Sequence, residues 1–343
     1  MRSSDRLAHA STLSAGDVGG VSAFERAASI SGSAVVGAPG RIPGFDVLRL
    51  TALAAIVWFH TGAPGAEYMA WRLPALAIIS AALAASRDRR PLACQARRSS
   101  ERMLAPWLFW CGVYGVVELA SHLRFGSSIL DDLGPRVFLT GTSVHLWYLP
   151  FAFAMMLFVN VARRLTDAMR PLHATALALS AATTLLAVLA IDPSYRDDAG
   201  TPGPQWMRSL PAMFLGLAVA AALRDAGTRR LGLLLTLTVA NSASCALLAI
   251  LFEDDLAARY GLAMLLVGPA ATWRFDPPRW LTSAAGLGMG VYLVHMSIHR
   301  TVYAVFNRLP TPDLPPVPHA VTVIVLSFAA AWLLAQTPLK RFI

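Results

Sequence analysis

The chain has 343 residues, of which 56% are hydrophobic and only 14% are charged, and its mean hydropathy is +0.54. Because about a quarter of the residues in a soluble domain are charged, this composition excludes an ordinary soluble protein and is typical of a membrane protein. The formal net charge of +9 could indicate a nucleic-acid partner, but the arginines are concentrated between apolar runs. Membrane topology explains that distribution better, so no nucleic acid is expected.

The amino-terminal stretch, residues 1–42, is rich in Ser, Gly and Ala and contains no apolar segment of the signal-peptide type. This composition predicts a disordered cytosolic tail. Residues 43–343 then form the predicted transmembrane domain.

Ten apolar runs of about 17–25 residues, the length that crosses a bilayer, follow the tail. They lie near residues 47–64, 69–86, 103–121, 144–162, 171–191, 206–223, 231–252, 256–273, 281–306 and 317–338. The predicted fold class is therefore all-α, a polytopic integral membrane protein with about ten transmembrane helices.

Basic residues divide the predicted loops into two sets. One set holds sixteen basic residues and consists of 87–102, 163–170, 224–230, 274–279, Lys340 and Arg341. The loops of the opposite set hold six basic and ten acidic residues. Since cytoplasmic loops are enriched in Lys and Arg, this alternation predicts ten crossings with both termini in the cytoplasm. Arg49 then lies at the cytoplasmic mouth, and His60 lies beyond the midplane.

The first apolar run, Phe45 to His60, carries three ionisable groups, Asp46, Arg49 and His60. Such groups cost several kcal/mol at bilayer depth unless they face a protein interior or a wet cavity, so they indicate a functional site. If the run is helical, Arg49 and His60 lie on nearly the same stripe, about 20° apart and roughly 16 Å along the axis. A cation at the mouth and a titratable base below it outline a site for an elongated anionic substrate.

The linker 87–102 is the most basic segment of the chain. A topogenic anchor at the lipid headgroups explains most of its charge. A second interpretation is a phosphate-binding surface, because guanidinium groups donate pairs of hydrogen bonds to phosphate oxygens. Arg98 and Arg102 are the candidate donor-binding residues of this segment.

Five stretches of the chain together resemble the membrane acyltransferase-3 family. They are Phe-Asp-Val-Leu-Arg49 with His60 eleven positions later, Leu-Pro-Ala-Leu-Ala-Ile-Ile-Ser-Ala at 73–81, Arg102-Met-Leu-Ala-Pro106, His145-Leu-Trp-Tyr-Leu, and Gly290-Val-Tyr-Leu-Val-His295. The likeness covers about residues 45–340. Family members often carry arginine where Ser99 stands, for which Arg98 can substitute, and glycine where Ala81 stands.

The resemblance implies an integral-membrane O-acyltransferase of the bacterial inner membrane. Such an enzyme moves an acyl group, above all acetyl, from cytosolic acyl-CoA (acetyl-CoA) to a hydroxyl of a glycan or a lipid-linked saccharide. The expected partners are therefore the acyl-CoA donor, the saccharide acceptor and membrane lipids.

His60, with Arg49 and Asp46, forms the predicted catalytic group. A neutral imidazole can accept the proton of a hydroxyl that attacks a thioester, or it can take the acyl group itself as a covalent relay. The alternative is a neutral histidine that is hydrogen-bonded between helices. Arg49 is expected to hold a donor phosphate, with Arg98 and Arg102, and its alternative is an interfacial residue paired with Asp46 one turn away.

The predicted acceptor side comprises His145, Trp147, Arg208 and His295. The first two begin the fourth helix, where aromatic residues could instead form a belt at the membrane interface. Of the other polar residues, Glu118 is expected near the lipid headgroups and His319 in a loop.

Other chemistries find little support in the sequence. It contains no Gly-rich phosphate loop, and its three cysteines suit neither a disulfide framework nor a metal site, so no metal is expected.

The alternative class is a membrane transporter or exporter of a polysaccharide or a small metabolite, which ten helices with buried charges would also suit. Transporters commonly contain internal repeats and broken helices, which the sequence does not show. An inactive relative that serves as a scaffold is a third alternative.

Overall fold

The computed structural model describes residues 41–86, 91–125, 137–197, 200–308 and 315–343. Every regular element in these ranges is helical, which confirms the all-α prediction. The helices are α1 (Pro43–His60), α2 (Arg72–Ala85), α3 (Leu92–Phe125), α4 (Val137–Thr140), α5 (Tyr148–Thr166), α6 (Pro171–Ile191), α7 (Ser194–Asp197), α8 (Gly203–Ser209), α9 (Pro211–Leu223), α10 (Gly227–Phe252), α11 (Asp255–Thr272), α12 (Arg279–Gly286), α13 (Gly288–Phe306) and α14 (Pro316–Ala335). Short 3₁₀ segments cover Ala66–Trp71, Val144–Trp147 and Pro338–Phe342. The predicted tail, except Arg41 and Ile42, lies outside the described residues.

In the described ranges, seven helical segments are long and apolar enough to cross a membrane, or eight if α12 and α13 count as one span. Each of the ten predicted apolar runs contains a helix. The two runs that are not counted, α1 and α11, carry charged residues in their first turns. A polytopic helical membrane protein is therefore confirmed, whereas the number of ten spans is not.

The basic segment that was predicted as a linker is helical from Leu92 onward. It forms the first turns of α3, which has 34 residues. At 1.5 Å per residue this helix is about 51 Å long, and the hydrocarbon core of a bilayer is about 30 Å thick. The exposed arginines Arg97, Arg98 and Arg102 therefore lie on a helical extension of the apolar span.

The two helices α1 and α2 lie at the centre of the bundle. α1 packs against α2, α11, α12, α13 and α14, and α2 packs against α1, α5, α9 and α11. α2 is buried on all sides, and ten of its fourteen residues are inaccessible, as expected for an apolar helix that others enclose. A Cβ at Gly216 in α9 would collide with Ala81. Relatives often carry glycine at the position of Ala81, whereas in this chain the glycine of the contact is Gly216 on the facing helix α9.

The predicted helix over 281–306 is two helices in the structure. α12 and α13 are bent by 61° relative to each other, and the break falls at Leu287 between two glycines. Glycine pairs are a common cause of such kinks, because glycine tolerates the local change of backbone conformation. The bend allows α12 and α13 both to pack on α1.

Ion pairs around the buried Arg163 join three helix ends. Arg163 in α5 is only 8% exposed and donates a hydrogen bond of 2.9 Å to the carbonyl oxygen of Ala85. Asp167 lies 3.5 Å from Arg163 and 2.8 Å from Arg224. These contacts hold the ends of α2, α5 and α9 together.

Candidate active site

Three imidazole rings meet within the bundle. His60 is the last residue of α1, His145 lies in the 3₁₀ segment before α5, and His295 lies in α13. The ring centroids of His60 and His295 are 5.3 Å apart, and those of His145 and His295 are 5.2 Å apart. His145 and His295 are buried, whereas His60 is half-buried. The structure thus brings together one predicted catalytic residue and two predicted acceptor-binding residues.

The tautomer of His295 is fixed by a backbone neighbour. Its Nδ1 lies 2.6 Å from the carbonyl oxygen of Tyr292. Because a carbonyl oxygen can only accept, Nδ1 carries the proton and Nε2 presents its lone pair. That Nε2 is buried and has no hydrogen-bond partner in the described part of the chain. An unsatisfied buried acceptor costs about 1–3 kcal/mol, so its presence indicates a functional role.

His145 is enclosed by polar and aromatic neighbours. Its Nδ1 lies 3.0 Å from the Oγ of Ser143, a hydroxyl that can donate or accept, so either tautomer satisfies this contact. The ring of Tyr114 meets the imidazole edge-on at 5.0 Å, and the Tyr292 hydroxyl donates a hydrogen bond to the His145 carbonyl. Within the described ranges, Nε2 of His145 is also buried without a partner.

Sequence reasoning missed the residues that support these rings. Tyr292 lies inside the motif that ends at His295, and its i−3 position was a usable signal, because residues three apart share a helix face. Ser143 stands two positions before His145. Tyr114 had no such signal, since its place beside His145 depends on how α3 packs against α5 and α13. Its hydroxyl donates to the Leu293 carbonyl at 2.7 Å.

Arg72 is a further residue that no motif marked. It begins α2, and its guanidinium carbon lies 3.7 Å from the centroid of the Phe59 ring, a cation–π contact. Its Nη1 also donates a hydrogen bond of 2.8 Å to the Met69 carbonyl. This arrangement holds a positive charge within electrostatic range of the His60 ring.

The other end of α1 carries ionised groups in pairs. Asp46 is only 6% exposed and forms an ion pair with Arg41, and Nη1 of Arg49 lies 3.7 Å from its second oxygen. An Nη of Arg49 is also 4.0 Å from the place where a Cβ of Gly288 would stand. Since Gly288 and His295 belong to the same helix, α13 lies beside both Arg49 and His60. The predicted common stripe of these two residues agrees with this packing.

The two arginines predicted to join Arg49 are not next to it in any described contact. Arg98 and Arg102 are exposed on the first turns of α3. No hydrogen bond or ion pair links them to Arg49 or to the imidazole cluster in the part of the chain that the structure describes. Their role as donor-binding residues stays a prediction.

The predicted acceptor residues Trp147 and Arg208 have different settings. Trp147 is buried next to His145, and its ring packs on Tyr148 at 5.9 Å and on Phe151 at 6.0 Å. Arg208 has an exposed side chain at the end of α8, and its carbonyl accepts a hydrogen bond of 2.9 Å from Tyr260. Trp147 therefore packs on aromatic residues of α5, next to the 3₁₀ segment that carries His145, whereas Arg208 lies on the surface.

Two further polar side chains pair with residues of α13. The carboxylate of Glu118 forms an ion pair of 2.6 Å with Arg300, and its place near the lipid headgroups stays a prediction. His319 is not a loop residue. It lies buried in the first turn of α14, and its Nε2 is 3.0 Å from Nδ1 of His299.

The fold and the site define a polytopic membrane protein with an imidazole cluster at one end of its first helix and an ion-paired arginine near the other. The residues that the structure describes include no group of three His, Cys, Asp or Glu side chains that could hold a metal ion.

Comparison with known proteins gives the family. The family model Acyl_transf_3, an acyltransferase domain, matches residues 42–336, which is most of the chain. The chain belongs to this acyltransferase family, as the sequence motifs predicted, and it is an enzyme that transfers acyl groups. No curated protein and no solved structure matches it. The family implies an acyl donor and a hydroxyl-bearing acceptor, and it favours the enzyme over the transporter alternative.

Proposed function

We propose that this enzyme is an O-acyltransferase of the bacterial inner membrane, with both termini in the cytoplasm. It transfers an acetyl group from cytosolic acetyl-CoA to a hydroxyl of a glycan or a lipid-linked saccharide. The observation that carries the proposal is the cluster of His60, His145 and His295, in which two buried Nε2 atoms lack partners among the described residues. A neutral imidazole in such a cluster can accept the proton of a hydroxyl as that hydroxyl attacks a thioester.

His60 is the reacting member of the cluster, because it is half-buried and the other two rings are closed off from solvent. In the base route, His60 takes the proton of the acceptor hydroxyl while the hydroxyl oxygen bonds to the acyl carbon. The carbon–sulfur bond then breaks, and the proton passes from His60 to the sulfur of CoA. In the relay route, an imidazole nitrogen first takes the acyl group and the hydroxyl then displaces it. Both routes convert a thioester and an alcohol into an ester and a thiol.

The donor is proposed to enter at the opposite end of α1. Arg49 holds a phosphate of CoA there, and Asp46 orients the guanidinium through their ion pair. Arg98 and Arg102 add positive charge on the exposed turns of α3. The rise between Arg49 and His60 is about 16 Å, so an extended pantetheine arm runs along α1 and presents its thioester near His60.

An open apolar groove of about 730 Å³ is suited to the hydrocarbon chain of a lipid-linked acceptor. It lies among α5, α6, α8 and α9, and its walls include Phe151, Phe158, Leu185, Trp206 and Phe214. The volume is within the range of ligand sites, about 300–1,000 Å³. Phe151 contacts the ring of Trp147, which lies two positions after His145 in the same 3₁₀ segment, so the groove reaches the segment that carries His145. A hydrocarbon chain held there leaves its saccharide near His145 and Trp147.

The proposal is tested with purified protein in detergent and acetyl-CoA that carries a labelled acetyl group. Release of CoA thiol and capture of label are measured with free saccharides and with the same saccharides linked to a polyprenyl phosphate. We expect label to move to an acceptor and to be recovered by mild alkali, as an ester is. Transfer from a donor other than a CoA thioester, or label that resists alkali, would contradict the donor or the O-acyl assignment.

A further inference from the structure

We propose that the Nε2 lone pair of His295 accepts a hydrogen bond from the His60 ring and thereby determines which nitrogen of His60 is free to react. His295 is then a positioning residue that acts through His60. The inference rests on the proposed function of His60 and goes beyond it, because it assigns a task to a ring that cannot itself reach a substrate.

The anchor of His295 is the first observation. Its Nδ1–H donates to the Tyr292 carbonyl within the same helix, so the orientation and the tautomer of the ring are both set by backbone. The lone pair of Nε2 is therefore permanently available. It is also fully buried, since His295 has 0% of its surface exposed.

The second observation is the distance between the rings. Elsewhere in this protein, His299 and His319 form a nitrogen–nitrogen contact of 3.0 Å with their ring centroids 5.1 Å apart. The centroids of His60 and His295 are 5.3 Å apart. The separation of His60 and His295 is thus close to that of a hydrogen-bonded imidazole pair. The His60 and His295 rings are tilted by 41° where those of His299 and His319 meet at 86°, and Nε2 of His295 has no hydrogen bond to a described residue, so the proposed bond requires His60 to turn toward it.

Burial explains why the hydrogen bond runs in this direction. His295 can only accept at Nε2, and His60 is the more exposed of the two rings. If one nitrogen of His60 donates its proton inward to His295, the lone pair on the other nitrogen faces outward toward the substrates. An acceptor placed behind a reacting histidine in this way fixes its tautomer and its orientation.

The contact gains strength during the reaction. When His60 takes the hydroxyl proton it becomes a cation, and its inward N–H becomes a charge-assisted donor to His295. His60 later passes the proton to the departing sulfur and returns to its neutral tautomer. Because the bond is strongest in the charged state, its loss lowers kcat more than it changes KM.

Two substitutions of His295 distinguish the hydrogen bond that Nε2 accepts from the hydrogen bond that Nδ1–H donates to the Tyr292 carbonyl. In His295→Asn, the amide can still donate to the Tyr292 carbonyl but provides no acceptor at the place of Nε2. In His295→Gln, the amide oxygen extends to the place of Nε2. We expect kcat to fall about 100-fold in H295N and no more than about tenfold in H295Q, with KM for the donor nearly constant. His319→Asn, which disrupts the other histidine pair, is the control and keeps the kcat of the unaltered protein.

Equal losses in H295N and H295Q would mean that ring packing matters and would overturn the proposal, as would an H295N enzyme with unaltered kcat. A second readout needs no activity. In bilayers, ¹⁵N spectra of histidine-labelled protein, assigned by difference from H60A, should show one His60 tautomer in the unaltered protein and a mixture in H295N. An unchanged His60 tautomer in H295N would overturn the contact. A protein that transfers no acyl group from any acyl-CoA defeats the proposed function instead, while the spectra still decide the role of His295.

Discussion

The two ends of α1 differ in whether their polar groups have partners. At its start, Asp46 is buried, and its two oxygens are matched by Arg41 and Arg49. At its end, the His60 ring lies 5.3 Å from the ring of His295, whose Nε2 has no partner among the described residues. The first end pairs its buried carboxylate, whereas the second lies beside a buried lone pair that no described residue satisfies. In the proposed function, this difference lets the two ends of an eighteen-residue helix separate recognition of an anion from proton transfer.

Stability alone does not explain the charged end. The side chains of Arg41 and Arg49 are 49% and 34% exposed, and partly exposed ion pairs contribute only about 0–1 kcal/mol. Arg49 also keeps donors that a single carboxylate oxygen 3.7 Å away does not occupy. A spare donor group at the end of an apolar helix is suited to a phosphate.

The largest effect is expected when the imidazole end is removed. His60→Ala should lower acyl transfer by about 1,000-fold, because it deletes the group that exchanges the substrate proton. Initial rates with labelled acetyl-CoA measure the change, and thermal unfolding in detergent checks the fold. His173→Ala, at an exposed histidine in the first turn of α6, is the matched control and should retain full activity. Comparable activity in H60A and H173A would remove His60 from the mechanism.

The charged end should respond in binding and not in chemistry. Arg49→Ala is expected to raise KM for the CoA donor by about 10-fold to 100-fold while kcat falls less, since the arginine contacts a part of the donor that does not react. Arg49→Lys should recover part of the affinity, because lysine keeps the charge but loses the paired geometry. Arg97→Ala removes an exposed, ion-paired arginine of α3 and serves as control. A pure kcat defect in R49A would contradict the division between the two ends.

A packing change can disturb the charged end by itself. A Cβ at Gly44 would collide with the backbone carbonyl of Ala270 in α11, which cannot rotate away. Gly44→Ala should destabilise the protein by about 1–3 kcal/mol, as overpacked sites do, and should weaken donor binding. Gly232→Ala in α10 meets no atom within 4 Å and should be neutral or slightly stabilising. Equal melting temperatures for the two variants would show that α1 and α11 do not pack as closely as described.

The smallest effect is expected for a residue that holds the backbone of the imidazole cluster without contributing a ring to it. Tyr292→Phe removes the hydroxyl that donates to the His145 carbonyl and should cost about 0.5–1.5 kcal/mol of stability, with a decrease of a few fold in rate. Tyr303→Phe changes an exposed tyrosine on the same helix and is the control for both measurements. If the two variants behave alike, the tyrosine hydroxyl does not hold the segment that carries His145.

Much of the architecture could be read from the chain. The apolar runs predicted every long helix, because a bilayer requires about twenty apolar residues in a hydrogen-bonded helix. Helix arithmetic also predicted that Arg49 and His60 lie on nearly the same stripe of α1, and α13 contacts the surroundings of both. The apolar run 281–306 predicted one helix and missed the 61° bend between α12 and α13, because the bend depends on the backbone freedom of two glycines. The prediction was wrong for His319, whose position after a proline-rich stretch resembles a loop.

The sequence by itself determined that this is a membrane acyltransferase with ionisable residues in its first helix, since local periodicity and short motifs are properties of neighbouring residues. Only the tertiary structure decided that His60, His145 and His295 share one cluster. These residues are up to 235 positions apart, and no local pattern fixes which helix faces meet. It also decided which nitrogens lack partners, because hydrogen bonding of a buried ring depends on every element packed around it.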